Sequence, residues 1–512
     1  MARKNTNILT LTRLAAASLF VFLAASVPAG EETPAPVTPP APAATETPAT
    51  PPAPVNPAEA AAAPAAAVVE APAPEEPPIL NRLTGIDADY PIHADFTLKY
   101  RVRWTHDTSD QDLYQYLNLM LGDPRSNLVT AYAALRVSED IDGRSGVTGF
   151  YTFDSLNDTY KQPTNAQLYA AYVQVNHMGL IDLFRVGRQT LSDMPITLQF
   201  DGGRLETWRF DDLKRLQLGV FGGLPVHLYE DNHYGDSLYG AYAKCEPWQG
   251  ARLQADWTHL EDRTLLADSV NDLYGIGLWQ RILNDFQFYG RYNRLNTVGR
   301  DVEARVIYNS SAWDLNVSAS WYALTQKQNA LSIDIDPFTQ VLLTQFPYWE
   351  ARLTIDKALG EKFDFLAGGV MRQLFDSNDI GPNNREFNSA YATLSSTNFP
   401  IDGLEADVTW SAYDAREFES TNQTVSGDIG YRVRREIGEH RYQDLAMVQV
   451  GTSYSLYKYD FFLSQEVQRT RTWYAKVWWK PYAWLRWDAR FSHESSDFGD
   501  YSDFSSSLRL QF

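Results

Sequence analysis

The sequence predicts an all-β protein: a transmembrane antiparallel β-barrel of roughly 18–24 strands, preceded by a disordered Pro/Ala-rich tail. Three observations lead to this prediction. Apolar and polar residues alternate with period two along most of the chain, as in strands with two unlike faces. No apolar run reaches the roughly 18 residues that a membrane-spanning helix needs. The final segment, Ser505–Phe512, carries apolar residues at alternate positions.

The first 29 residues have the parts of a secretory signal peptide. Arg3 and Lys4 belong to a positively charged n-region, and Leu14–Ala25 is an apolar h-region. Val27–Ala29 supplies small residues at a cleavage site. Because the h-region is too short to span a bilayer, we expect cleavage rather than the alternative, an uncleaved N-terminal anchor.

A Pro/Ala-rich stretch follows the signal peptide. Glu31–Pro78 is nearly all Pro, Ala, Thr and Glu, a composition that cannot bury a core and is typical of disorder. We interpret it as a spacer; the alternative is a tether to a periplasmic protein partner or to the cell wall. The predicted organisation is therefore a signal peptide (1–29), a disordered periplasmic tail (30–80) and an outer-membrane β-barrel (81–512).

Candidate strands cover the rest of the chain and are joined by turns of two kinds. In FTLKYRVRW, Phe96–Trp104, apolar residues fall on one face and Lys99, Arg101 and Arg103 on the other. Tight turns alternate with longer polar loops, as in barrels with short periplasmic turns and long outer loops. The predicted long loops are Leu191–Gly203, Gly223–Ser237, Leu324–Pro347, Asp376–Asn388 and Ala415–Thr424.

The strand number is less sharply defined than the strand pattern. About 23 segments qualify as candidate strands, but a barrel with both ends in the periplasm needs an even number. The sequence therefore predicts that at least one candidate is not a strand. The segment Leu113–Leu121, which could belong to the first outer loop, is the one we expect to fail.

A soluble β-sandwich or a propeller would also show alternating strands. The sequence has no repeat of about 40–50 residues, which a propeller would show, and a closed barrel leaves no unpaired edge in lipid. Aromatic residues near the ends of the apolar stripe favour the membrane barrel. The tryptophans assigned to this stripe are Trp104, Trp257, Trp279, Trp321, Trp349, Trp410, Trp473 and Trp479.

The last strand completes this picture. Leu508, Leu510 and Phe512 share the predicted lipid face, while Arg509 and Gln511 point to the other side. This pattern resembles the C-terminal assembly signal of bacterial outer-membrane proteins. The resemblance implies recognition by the barrel-assembly machinery and a location in the Gram-negative outer membrane, in contact with lipid and lipopolysaccharide.

If the apolar stripe faces lipid, the polar stripe lines the interior. Rings of basic residues in a pore favour anions, although opposite charges on neighbouring strands can pair and cancel the field. Both interpretations stay open. The basic residues predicted to line the pore are Lys99, Arg101, Arg103, Arg204, Arg252, Arg305, Arg352, Arg432, Arg434, Arg486, Arg490 and Arg509.

One stretch carries a more specific likeness. Leu168–Glu206 contains RVGRQ (Arg185–Gln189) and, after a connecting segment, FDG followed by Arg204. This arrangement resembles a region of alginate-export-type and related outer-membrane porins. The resemblance implies passive conduction of small or anionic solutes, or export of an anionic polysaccharide through an arginine-rich pore.

Other functions find little support. The formal net charge of −20 argues against a nucleic-acid partner. No nucleophile-elbow or zinc-protease motif occurs, so we expect no enzyme activity, no catalytic residues and no cofactor. His227, Glu230, Asp231 and His233 fit no standard metal-ligand spacing, so no metal site is predicted.

The sequence thus predicts a channel. The alternative is a structural barrel that sheathes a partner, such as a separate periplasmic or outer-membrane cytochrome in an electron conduit. The chain itself has no haem-attachment motif, because Cys245 is its one cysteine.

Overall fold

The computed structural model describes most of the chain from Asp89 onward. The described residues are 89–106, 108–142, 163–194, 196–227, 234–263, 268–283, 285–327, 346–379, 384–415, 420–438, 441–460, 465–497 and 499–512. The signal peptide and the Pro/Ala-rich tail lie outside these ranges, so their predicted boundaries stay predictions.

The described chain folds almost entirely into β-strands, with short 3-10 turns at Asp211–Leu213 and Ser377–Asp379. The strands are β1 Ile92–Trp104, β2 Ser109–Leu121, β3 Val129–Asp140, β4 Thr164–Met178, β5 Ile181–Leu191, β6 Leu198–Thr207, β7 Gln217–Pro225, β8 Ser237–Cys245, β9 Ala251–Arg263, β10 Asp268–Ile282, β11 Phe286–Leu295, β12 Val298–Ser310, β13 Leu315–Leu324, β14 Tyr348–Ala358, β15 Phe363–Leu374, β16 Phe387–Thr397, β17 Leu404–Ala415, β18 Ser420–Gly438, β19 Arg441–Asp460, β20 Gln465–Tyr482, β21 Leu485–Ser496 and β22 Gly499–Gln511.

These 22 strands form one closed antiparallel sheet. Each strand pairs with the strands before and after it, and β1 pairs with β22 to complete the circle. The predicted fold class is confirmed, and the strand number lies within the predicted range. Among the described residues, no helix is long and apolar enough to cross a membrane.

The candidate that we expected to fail is a genuine strand. Leu113–Leu121 belongs to β2, which pairs along its whole length with β1. The strand begins upstream of that segment, at Ser109, and its first residues include two aspartates. In the structure, Asp110 and Asp112 lie beside Arg103 of β1 and form ion pairs with it, so their charges are compensated within the sheet.

The two faces of the barrel differ sharply in exposure. Among the described residues, no segment covers the outer surface of the sheet, so a large or polar side chain that is nearly fully buried points inward. Asp112, Gln254 and Thr258 are such side chains. Apolar side chains on the opposite face are about half exposed; examples are Val173, Val186, Val220, Ile276 and Val408. An apolar outer surface on a closed barrel defines a transmembrane β-barrel.

Two assignments made from the sequence are wrong. Trp279 was assigned to the apolar stripe, but it pairs in register with Arg252 and lines a cavity in the interior with it. The predicted loop Leu191–Gly203 is mostly strand, because β6 begins at Leu198 and its backbone pairs with β5. Only residues 192–197 connect these two strands.

The seam between β1 and β22 is closed by main-chain and side-chain contacts. The amide of Phe512 donates to the carbonyl of Ala94 at 2.8 Å, and the amide of Ala94 donates back at 3.1 Å. On the outer side, the rings of Phe512 and Trp484 stack with centroids 6.4 Å apart. On the inner side, Arg509 bonds Asp95 at 2.5 Å. The position predicted to carry an assembly signal is therefore part of the seam.

Replacing Phe512 by Asp is expected to lower the amount of assembled barrel about tenfold, which corresponds to about 1.4 kcal/mol. The change removes ring stacking worth roughly 0.5–1.5 kcal/mol and places a charge on the lipid face, which costs about 1 kcal/mol or less near the interface. Heat-modifiable mobility of outer-membrane fractions measures the folded barrel. Gln511→Ala, on the inner face, is the control; wild-type levels of the Phe512→Asp barrel would contradict the prediction.

Candidate functional site in the barrel interior

The connection between β5 and β6 folds into the barrel. We call residues 192–194 and 196–197 the inward segment. Met194 and Ile196 are buried to 7% and 8% exposure, although they lie in a loop. Burial of such side chains on this closed sheet requires that they point into the interior. Burying each contributes roughly 1.5–3 kcal/mol, so the inward segment is held firmly against the wall.

An apolar patch on the inner wall receives the inward segment. Its members come from five consecutive strands, β7 to β11, at positions where the interior elsewhere carries polar groups. All are buried and form one cluster with Met194, Ile196 and the neighbouring ends of β5 and β6. The patch consists of Phe221, Leu238, Tyr242, Leu260, Leu273 and Leu295.

Polar contacts fix the tip of the inward segment. Lys244 Nζ donates to Asp193 Oδ2 at 2.5 Å, and Gln254 Nε2 donates to the carbonyl of Asp193 at 2.6 Å. Burial alone would raise the pKa of the Asp193 carboxyl, but the hydrogen bond and charge of Lys244, with Arg252 and Arg204 nearby, lower it. Lys244 is the last residue but one of β8, at the rim opposite the end of β5. The inward segment therefore reaches along the interior.

A buried polar network continues from this anchor across β9 to β12. Arg291 Nη2 bonds Asp256 Oδ2 at 2.5 Å, and both side chains are at most 5% exposed. Gln254 Nε2 donates to the same carboxylate at 3.2 Å. Arg291 Nε also bonds Asn293, which in turn donates to Asp301 at 2.6 Å. The support of the inward segment is thus a set of charges compensated by direct hydrogen bonds.

Below the inward segment the interior forms a cavity of about 610 Å³. Its wall includes Asp193 from the inward segment, Arg252 of β9 and Trp279 of β10. The Arg252 guanidinium lies 4.9 Å from the centre of the Trp279 ring, a cation–π distance. Arg291 and Tyr289 of β11 and Glu303 of β12 also line it. The cavity combines a stacked cation with polar and aromatic groups.

The two motifs that suggested a family resemblance lie side by side on β5 and β6. Arg185 faces Arg204 in register, and Arg188 faces Asp201. On the inner side, Arg185 is buried, bonds Gln174 at 2.6 and 2.9 Å and lies 4.0 Å from the Tyr172 ring. Arg204 forms an ion pair with Glu206.

Backbone packing explains the glycine of the second motif. Gly202 faces Gly223 of β7, and a Cβ on Gly202 would clash with the backbone carbonyl of Gly222. On the outer side of the same motif, Arg188 makes two 2.7 Å bonds to the carboxylate of Asp201. The motif residues thus divide between the interior and the outer wall.

Ion pairs between described residues join nine of the twelve basic residues predicted to line the pore to a carboxylate. These ion pairs are Arg101–Asp503, Arg103–Asp110, Arg204–Glu206, Arg305–Glu303, Arg352–Glu350, Arg432–Glu405, Arg434–Asp444, Arg486–Asp488 and Arg509–Asp95. Each pair reduces the field that the arginine projects into the interior. The pairing interpretation therefore applies to most of the set, and the role of these residues in conduction stays a prediction.

The remaining three lie in different surroundings. Arg252 stacks on Trp279, Arg490 lies opposite another cation, Lys476, and Lys99 lies between Tyr114 and Ser507 in register. The structure does not bring the twelve residues together at one point, because they are spread over strands all around the barrel.

The inward segment and its support were missed in the sequence. Asp193, Lys244 and Arg291 stand out neither by motif nor by spacing. The only available signal was the apolar pair Met194 and Ile196 within a predicted polar loop. Of the four residues considered for metal binding, the structure describes His227; Glu230, Asp231 and His233 lie outside the described residues.

A closed barrel with an apolar exterior and a structured interior is the architecture of an outer-membrane β-barrel protein. No family model matches this chain, and no curated protein matches it. Several solved structures are similar to this chain at low sequence identity. OccAB3 of Acinetobacter baumannii is 9% identical, with 83% of this chain and 100% of that chain covered and a TM-score of 0.40.

Two further structures show the same kind of likeness. OpdK of Pseudomonas aeruginosa, solved with vanillate, is 11% identical over 82% of this chain and 98% of that chain, with a TM-score of 0.40. The translocation pore of the P pilus usher PapC is 10% identical over 82% and 99%, with a TM-score of 0.48. At these identities the likeness concerns the barrel fold alone.

Proposed function

We propose that this protein is an outer-membrane channel for the passive passage of small solutes. The observation that carries the proposal is the inward segment, packed on an apolar patch inside a closed barrel. Barrels of 16–18 strands already leave an aqueous channel, so a barrel of 22 strands needs an internal element to restrict passage. The inward segment is such an element, and it has both apolar and ionic anchors.

We further propose that the channel prefers anions weakly. Most interior arginines are paired, which limits their effect. Arg252 stacks on an aromatic ring and lines the cavity beside the inward segment, and Arg185 is held by neutral Gln174 and Tyr172. Cations next to a restricted passage attract anions more strongly than cations elsewhere on the wall. The anion preference of the channel therefore depends on a few cationic positions near the inward segment.

Replacing Arg252 by Glu tests both parts of this proposal. Purified protein in planar bilayers is expected to conduct, and the substitution is expected to shift the anion-to-cation permeability ratio about two- to threefold toward cations. The shift should shrink at 1 M salt, where the Debye length is about 3 Å. The control is Arg486→Glu. Arg486 is paired with Asp488 on the same strand, β21, which is far around the sheet from Arg252 on β9.

The outcomes separate the possibilities. If the purified wild-type protein forms no conducting pore, the channel proposal fails. If it conducts but Arg252→Glu leaves the permeability ratio unchanged, the channel stands and the anion preference at this position fails. Replacing Lys99, Arg101 and Arg103 together by Glu would also reverse charges in the interior. It would be a poorer test, because Arg103 contacts the buried Asp110 and Asp112.

The alternative is a sheath around a partner protein such as a cytochrome. The width of a 22-stranded barrel favours it, since barrels of this size elsewhere hold a plug. A sheath would require a lumen free for its occupant, whereas the inward segment occupies part of this interior. Export of an anionic polysaccharide, suggested by the resemblance to alginate exporters, would need the arginines that the structure shows in ion pairs.

A further inference from the structure

Three side chains with metal-binding groups meet at one rim of the barrel. His227 follows β7, Asp236 precedes β8, and Asp262 is the last residue but one of β9. His227 Nε2 lies 3.3 Å from Asp262 Oδ1 and 3.9 Å from Asp236 Oδ2. The imidazole nitrogen and the two carboxylate oxygens all lie within 4.8 Å of one another.

The cluster is buried. Side-chain exposure is 11% for His227, 0% for Asp236 and 5% for Asp262. The Nε2 atom of His227 is inaccessible to water and has no hydrogen-bond partner among the described residues. Two carboxylates brought together away from water are costly unless a cation compensates them. The nitrogen aimed at them makes the three groups a ready set of ligands.

Neighbouring groups hold the set in place. The backbone amide of Arg263 donates to Asp236 Oδ1 at 3.0 Å, and the other oxygen of this carboxylate, Oδ2, lies 3.9 Å from His227 Nε2. Leu238 of β8 and Leu260 of β9 are nearly fully buried, lie two residues from Asp236 and Asp262 in the sequence and belong to the apolar patch. Such supporting contacts orient ligands in metal sites.

We propose that His227, Asp236 and Asp262 bind a divalent transition-metal ion, with Zn²⁺ the best match. Bonds of about 2.0–2.2 Å place tetrahedral ligand atoms about 3.4 Å apart, close to the distances found here, so small side-chain movements would complete the site. A nitrogen with two carboxylates suits zinc-like ions, whereas Ca²⁺ and Mg²⁺ prefer oxygen ligands alone. Water fills the fourth position. The ion joins both ends of the β7–β8 connection to β9.

The competing explanation is a protonated His227 that forms an ion pair with the two carboxylates. The proposal departs from the sequence-based expectation that this protein has no metal site. The proposal does not depend on conduction, because a structural ion would be bound whether the barrel is a channel or a sheath.

Metal content tests the proposal on the full, folded chain. Wild-type protein and His227→Gln are stripped with a chelator, exposed to Zn²⁺, freed of excess ion and measured by elemental analysis. We expect the wild type to retain one more Zn²⁺ per chain than the variant. His259→Gln is the matched control, since His259 contacts the single carboxylate of Asp272 at 3.0 Å. It should retain as much Zn²⁺ as the wild type.

A second variant and a second ion keep the test decisive. Asp262→Asn should lose the same ion, and Co²⁺ should give visible absorption bands in the wild type that both variants lack. Folding of each variant is checked by heat-modifiable mobility. Equal Zn²⁺ content in the wild type and in a folded His227→Gln or Asp262→Asn protein would overturn the metal site and leave the ion pair.

Discussion

Removing the inward segment is expected to increase single-channel conductance by a factor of about two or more. Leu191 and Leu198 face each other directly across the β5–β6 pair, so a two-residue Asn-Gly turn can replace residues 192–197 and still close the hairpin. The barrel should assemble, because the change leaves the backbone pairing of all strands intact.

The physical reason is the position of the inward segment. Met194 and Ile196 cover the apolar patch, and Asp193 is tied to Lys244 and to Gln254. Without them the cavity beside Arg252 opens into the lumen. The deletion also removes the carboxylate of Asp193 and leaves Lys244 without that partner, so it changes the charge of the passage as well as its width.

Planar-bilayer recordings of the purified protein provide the measurement. Thr197→Ala, at an exposed position of the inward segment, serves as a control that keeps the anchors. An assembled deletion variant with wild-type conductance would mean that the inward segment does not restrict the passage. In that case the packing of the inward segment inside the barrel would no longer support the channel proposal.

Replacing Arg291 by Met is expected to destabilise the barrel by about 3–5 kcal/mol. The substitution leaves Asp256 buried without its guanidinium partner; among the described residues, the amide of Gln254 then remains as a hydrogen-bond donor to this carboxylate. Because Gln254 also bonds Asp193, the loss should loosen the tip of the inward segment. Conductance traces of the surviving channels should therefore become noisier.

Denaturant unfolding in detergent or lipid, followed by tryptophan fluorescence, measures this effect. Arg294→Met on the same strand is the control, since Arg294 is exposed and bonds a backbone carbonyl; it should change stability by about 0.5 kcal/mol or less. Replacing both members, Arg291→Met with Asp256→Leu, should restore most of the stability. A single variant as stable as the wild type would show that solvent, and not Arg291, compensates Asp256.

The strands illustrate what local pattern can predict. Alternation is a property of consecutive residues, so β1 could be read from Phe96–Trp104 without knowledge of its neighbours. β2 could not, because its acidic start is stabilised by Arg103 across the sheet. Trp279 is a second example of a position that local pattern misassigns. It was expected to face lipid, but it lies in the interior beside its register partner Arg252.

The charges of the interior divide in the same way. The period-two alternation placed the basic residues on one stripe of each strand. The net electrostatic field in the interior depends on where their carboxylate partners lie. Several partners are two positions along the same strand, such as Asp488 for Arg486, and could have been found from spacing. Others come from strands distant in the sequence, such as Asp503 for Arg101, and only closure of the barrel brings them together.

The sequence by itself determined the all-β class, the approximate strand number and the apolar outer face, because period-two patterning is local and lipid imposes it on every strand. The tertiary structure alone decided the inward course of residues 192–194 and 196–197, the neutralisation of most interior arginines and the meeting of His227 with Asp236 and Asp262. These features rest on contacts between residues far apart in the chain. The register of a closed sheet sets such contacts, and no short stretch of sequence encodes that register.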